Sequence, residues 1–164
     1  MNDTNVKKAL SAFELPSYQE IPDVGLYLEQ VAKYLNSYFT AFPEMQVTTS
    51  MISNYAKQKL IRRASRKTYD RNQIALLMVI VLAKNALSIE NIKRCIETWQ
   101  DEETVKENYT FFTASVLQEL RYIHSEQPVE SPSSLTDENQ VLRHIAAACA
   151  RKMYLEKYFE LLTE

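Results

Sequence analysis

Glycine is almost absent: Gly25 is the only one in 164 residues. Phosphate-cradling loops and tight hairpins use several glycines, because glycine alone takes positive φ without steric cost. A P-loop, a dinucleotide-binding fingerprint and a hairpin-rich β fold are therefore not expected, whereas helices joined by short polar connections are. Histidine and cysteine are equally sparse, with two of each. His124, His144, Cys95 and Cys149 do not offer the close spacing of a four-ligand zinc site, so no metal or other cofactor is expected. The cysteines sit inside helical patterns and read as buried reduced thiols of a cytoplasmic protein. Long apolar runs are missing too. The longest, Ile74–Ala83, is about half of the ~20 residues that span a bilayer. The polar opening Met1–Asn5 lacks the apolar segment of a secretory signal, so no membrane partner is expected. No histidine stands at a suggestive spacing from a nucleophile, and the acidic run Asp101-Glu102-Glu103 reads as solvated surface, so an enzyme is not expected.

Hydrophobic residues make up 46% and charged residues 24%, the balance of a chain able to bury a core. The net charge of −2 hides a segregation. Residues 57–71 carry Lys57, Lys59, Arg62, Arg63, Arg66, Lys67 and Arg71 against Asp70 alone. Seven cations less one acid give +6, which leaves −8 for the rest of the chain. A localised positive patch on an acidic body is a partner-selecting feature.

The periodicity predicts an all-α chain. Residues 1–22, with Pro16 and Pro22, read as an irregular arm anchored by Phe13, Leu15, Tyr18 and Ile21. Asp23 is expected to cap a helix to about Phe42, since Leu26, Val31, Tyr34, Leu35, Tyr38 and Phe42 recur at three- and four-residue steps. Thr48 or Thr49 caps a short helix to about Lys59, with Ile52 and Tyr55 inward and Ser50, Ser53, Asn54 and Lys57 outward. Residues 60–69 read as a short arm or abbreviated wing with room for two brief extended pieces. Asp70 with Gln73 forms a capping box for a buried helix that is apolar on all sides. It stops near Asn85, a residue that tolerates left-handed backbone. Ser88 caps a helix with Ile92, Ile96 and Trp99 inward, and Trp99 is expected to plug the junction with the C-terminal helices. Two long helices follow, about 102–124 and 137–162, the second closed by Asp137 and Gln140. A proline- and serine-bearing linker, 126–135, joins them. His124 near its helix end reads as structural.

The basic island lies between a short capped helix and a buried one. In a helix-turn-helix module the second helix offers small polar side chains to base edges while flanking cations meet phosphates. Ser50, Ser53, Asn54 and Lys57 suit the base-facing role, because asparagine pairs bidentately with adenine and serine both donates and accepts. Lys59, Arg62, Arg63, Arg66, Lys67 and Arg71 suit the phosphate clamp. Tyr55 and Tyr69 are expected to pack inward rather than stack on bases.

The ordered set Met51-Ile52-Ser53-Asn54-Tyr55, Lys59-Leu60-Ile61, Arg66-Lys67-Thr68-Tyr69, Ile74–Ile80 and Leu87-Ser88-Ile89-Glu90-Asn91-Ile92 resembles the head of the MerR regulators over residues 48–97. The chain departs from that pattern at Ser53 and Asn54, where those proteins usually carry arginine and tyrosine, and at Lys59 and Ala86, where glycine is common. With Pro22–Val31 before the module, the chain also resembles an uncharacterised Firmicutes family, domain-of-unknown-function family 1836. The resemblance implies a winged-helix/helix-turn-helix head at 23–100 with a minimal β wing, and a C-terminal helical part at 101–164 for dimerisation or effector binding. It implies a DNA-binding transcriptional regulator that engages double-stranded DNA as a homodimer. The competing expectation is a helical adaptor that keeps the helix-turn-helix shape for protein partners. An exposed or covered outer face of helix 49–59 separates the two.

Overall fold

A computed structural model describes residues 2–125 and 134–163. Seven helices and one two-stranded sheet follow in order among them: α1 Asn2–Ser11, β1 Leu26–Tyr27, α2 Leu28–Ser37, α3 Thr49–Lys57, β2 Thr68–Tyr69, α4 Arg71–Ala83, α5 Ile89–Ile96, α6 Glu102–Ser125 and α7 Asp137–Leu162. The all-α expectation with a minimal β element holds. Most of the linker expected at 126–135, including Pro128 and Pro132, lies outside the described residues.

The centre is α4. Ten of its thirteen residues are buried, Gln73 among them, consistent with a helix that is apolar on every side. The long helices α6 and α7 pair along their lengths, and both meet α4; α1 closes over the same pair. The expected capping box forms: Asp70 Oδ1 accepts from Gln73 N at 2.9 Å, and Gln73 Oε1 accepts from Asp70 N at 2.8 Å. At its far end α4 does not use left-handed backbone. Asn85 instead donates its side-chain amide to the Leu82 and Val81 carbonyls, at 3.1 and 3.4 Å, adding to the backbone bond its own N–H makes to Leu82 O and covering the last turn.

The arm at 1–22 is largely helical, which corrects the irregular reading. Val6 and Leu10 of α1 are fully buried, and Tyr154 of α7 donates to Asp3 at 2.8 Å. The four-residue step from Val6 to Leu10 carried the helix signal, but it spans little more than one turn and Pro16 draws the eye to a break. The stretch after α1 is pinned by aromatics: Phe13 packs on Phe39 and Phe42, and Tyr109 donates to the Pro16 carbonyl at 2.6 Å.

The helix expected at 23–42 is shorter than its apolar pattern. Leu26 and Tyr27 are strand, and Gln30 Oε1, not Asp23, covers the start of α2 by accepting from Tyr27 N at 2.9 Å. The end comes at Ser37, where the chain tightens into i→i+3 bonds from Tyr38 and Phe39 to Leu35 and Asn36. Phe39, Phe42, Met45 and Val47 are buried from this turn and a 3₁₀ segment, Pro43–Met45, not from a continued helix face. At α7, Thr136 takes the cap expected of Asp137, its hydroxyl accepting from Asn139 N at 3.2 Å. Asp137 moves into the first turn, where a carboxylate still favours the positive helix end.

Candidate nucleic-acid interface

Helix α3 is positioned from both ends. Asn36 of α2 clamps its approach, donating to the Val47 carbonyl and accepting from Val47 N, each at 2.8 Å. Thr48 then caps it, with Oγ1 accepting from Met51 N at 3.1 Å. Ile52 and Tyr55 are buried as expected. Ser50, Asn54 and Lys57 are exposed and Ser53 is half-buried, so the polar side chains share the open face at steps of three and four. The connection from α2 to α3 is eleven residues, 38–48, much longer than the three- or four-residue turn of a compact helix-turn-helix.

At its far end α3 closes in a Schellman arrangement. Leu60 N bonds the Tyr55 carbonyl at 3.0 Å and Lys59 N the Ala56 carbonyl at 3.1 Å, with Lys59 left-handed at φ 62°. Glycine is the usual residue at this position. The chain then runs to a two-residue turn, Ser65–Thr68, closed by reciprocal bonds of 3.0 and 2.9 Å. Its central residues are Arg66 at φ 50° and Lys67 at φ 65°. Two successive positive φ values define the type I′ hairpin turn, a geometry that favours Asn-Gly. Thus every positive-φ residue other than Gly25 among the described residues is a cation of the basic island.

β2 follows the turn and pairs antiparallel with β1, Leu26 opposite Tyr69 and Tyr27 opposite Thr68. The wing expected inside 60–69 therefore takes its second strand from before α2. Gly25 makes room for it: at φ +76°, an added Cβ would lie 3.1 Å from Thr68 Oγ1. Tyr69 is buried as expected, and burial raises its hydroxyl pKa and that of Tyr55.

Gln73, not singled out for this role from the sequence, ties the arm to the core. Beyond its cap bond, its buried amide donates to the carbonyls of Arg62 and Arg63, at 3.0 and 3.1 Å. The guanidinium groups of both residues are thereby free to extend outward. A groove of about 400 Å³ runs beside the arm and brings together Lys57, Lys59, Arg62 and Arg63, with Glu97 and Trp99 on its opposite side. Lys57, Lys59, Arg62, Arg63, Arg66 and Lys67 are all exposed, and none has an ion-pair partner among the described residues.

Arg71 leaves this set. Its Nε donates to the Ile21 carbonyl at 2.8 Å and its Nη2 to the Gln19 carbonyl at 3.3 Å, with Asp23 at 3.4 Å and the Tyr18 ring 5.5 Å from the guanidinium carbon. It fastens the 18–23 segment to the start of α4. Asp23 serves here as its counter-ion. His124 is structural in the same sense, its Nδ1 lying 3.2 Å from the Lys7 carbonyl.

No curated protein and no solved structure matches the chain. Residues 16–114 match one family model, a span that begins just before the Tyr18 anchor and takes in the whole of α3, the basic arm, α4 and α5. By that match the chain belongs to the family described as a domain of unknown function, DUF1836.

Proposed function

We propose that this protein is a DNA-binding regulator that lays α3 in the major groove and rests its basic arm on flanking phosphates. The single observation that carries the reading is the set of exposed cations Lys57, Lys59, Arg62, Arg63, Arg66 and Lys67, without ion-pair partners among the described residues, running on from a helix whose open face is Ser50, Ser53, Asn54 and Lys57. Unpaired cations repel one another, and a polyanion relieves that repulsion while releasing its counter-ions. Small polar side chains at the centre and charges at the margin match the division between base reading and backbone positioning. The MerR-like order of the segments supports the same reading, as does the uncovered outer face of α3.

Selection from a random duplex pool tests it. The expected result is enrichment of a defined sequence, and Asn54→Ala should relax preference at one base position by about 1–3 kcal/mol. A pool that returns no enriched sequence, or an Asn54→Ala loss that is equal on all sequences, contradicts base reading by α3 and favours a protein-directed adaptor.

A further inference from the structure

The groove beside the basic arm holds opposite charges apart. Lys57, Lys59, Arg62 and Arg63 line it from one segment and Glu97 from another. All five are exposed, yet no ion pair joins Glu97 to any cation among the described residues. Both sides are braced. Gln73 grips the Arg62 and Arg63 carbonyls, and the Schellman stop of α3 fixes Lys59. Beyond them α5 runs out in a tight turn, with Trp99 N bonding the Ile96 carbonyl at 3.0 Å, and Gln100 folds its side-chain amide back onto the Glu97 carbonyl. Much of the remaining lining is apolar, from Leu60, Leu76, Ile96 and Trp99.

A ligand that suits this lining has a multiply charged anion for the cations, an apolar body, and hydroxyl or amine donors for the carboxylate. Four cations less one carboxylate give +3, and a diphosphate ester carries about three negative charges at neutral pH. The volume of about 400 Å³ is that of a small-ligand site. We propose that the groove binds a nucleoside diphosphate. Its phosphates meet Lys59, Arg62 and Arg63, whose guanidinium forks match phosphate oxygens. Its sugar hydroxyls donate to Glu97, the acceptor role a carboxylate takes toward ribose. An inorganic anion would meet Glu97 only as a repulsion, and an uncharged nucleoside would leave the cations unneutralised. Side chains, not a glycine-rich loop, supply the phosphate contacts, in keeping with a chain that has a single glycine. An occupant engages four of the six exposed cations of the island, so it competes with duplex DNA; this consequence alone rests on the DNA-binding reading.

The test titrates the full chain, without DNA, with the diphosphates of the four common ribonucleosides, the parent nucleosides and inorganic pyrophosphate. Calorimetry follows binding, and the indole N–H resonance of Trp99, the sole tryptophan, reports the place. At least one diphosphate should bind once per chain and move that resonance. It should bind about tenfold or more tighter than pyrophosphate, the worth of one hydrogen bond to a charged group, while its parent nucleoside shows no saturation. Glu97→Gln gives the sharpest contrast. It removes a negative charge from an anion site, so pyrophosphate should bind more tightly, yet the nucleotide should bind about tenfold more weakly. Arg62→Ala with Arg63→Ala should weaken both ligands and leave the melting temperature unchanged. No saturable binding of any diphosphate up to about 5 mM, or an unmoved Trp99 resonance, overturns the proposal. So does a Glu97→Gln variant that tightens nucleotide and pyrophosphate alike, which marks a mere electrostatic patch. A chain that binds the nucleotide but no duplex retires the DNA reading alone; one that binds duplex but no nucleotide retires this site alone.

Discussion

Three lysine and arginine residues sit where glycine would be easier. Lys59, Arg66 and Lys67 each hold left-handed backbone, at a cost of about 1–2 kcal/mol per residue that a glycine would largely avoid. Such strain persists where the side chain is needed, and these three side chains are among those that carry the arm's charge. Lys67→Gly should therefore stabilise the fold by roughly 0.5–1 kcal/mol in chemical denaturation while weakening DNA binding. A variant that loses stability, or gains it with DNA affinity intact, contradicts the link between strain and charge. Gln73 shows the opposite economy, one buried side chain and its own backbone N–H making four hydrogen bonds in cap and arm. Gln73→Leu keeps the volume but strands the carbonyls of Arg62 and Arg63 and removes the cap's return bond. The expected loss is about 1–3 kcal/mol, with faster amide exchange across 62–64. Unchanged exchange there would show that the arm is held by something else.

Elements are joined by contacts that titrate. Asp3 of α1 has its pKa lowered from 3.8, first by the Tyr154 hydroxyl of α7 and then by Lys7. A carboxylate depressed in the folded state contributes stability above its unfolded value, and the contribution is lost as pH falls through the folded value. Docking of α1 should loosen in that acidic window. Tyr154→Phe should raise the Asp3 pKa, read from its carboxyl carbon shift; an unmoved value would contradict the α1–α7 bond. The elements also show what was legible. Short-range rules held where one side chain decides: Thr48, Asp70 and Ser88 cap as read, their side-chain oxygens accepting at 3.1, 2.9 and 3.2 Å. They failed where distant groups compete. Asp23 was drawn from capping to the cation of Arg71, and Thr136 displaced Asp137 by one position. The apolar steps through Tyr38 and Phe42 looked helical because the tightened turn that follows α2 places apolar side chains against the core at similar intervals. β1 was hidden because its partner lies some forty residues away. The exposure of Ser50, Asn54, Lys57 and the arm cations was readable from type and position. The anchoring by Gln73 and the removal of Arg71 depend on tertiary contacts that spacing does not encode.

At the scale of the molecule, charge is divided. An acidic body carries a basic edge built from α3, its Schellman stop and the hairpin turn; α3 packs on α2, β2 pairs with β1, and Gln73 of the apolar α4 ties the arm between them to the core. Removing one core side chain tests that support: Leu77→Ala, at a fully buried position of α4, should cost about 2–5 kcal/mol. It should leave the salt dependence of DNA binding intact in whatever fraction stays folded. The most direct test of the basic edge is the salt slope of duplex binding by fluorescence polarisation, wild type against Arg62→Ala/Arg63→Ala/Arg66→Ala, with Arg71→Ala as the internal contrast. The triple substitution should weaken binding to every sequence and flatten the slope of log K against log salt by about 0.9 for each phosphate no longer neutralised. Arg71→Ala should lower stability and leave the slope unchanged. Wild-type binding that shows no dependence on salt, or a triple variant with the wild-type slope, would contradict the account.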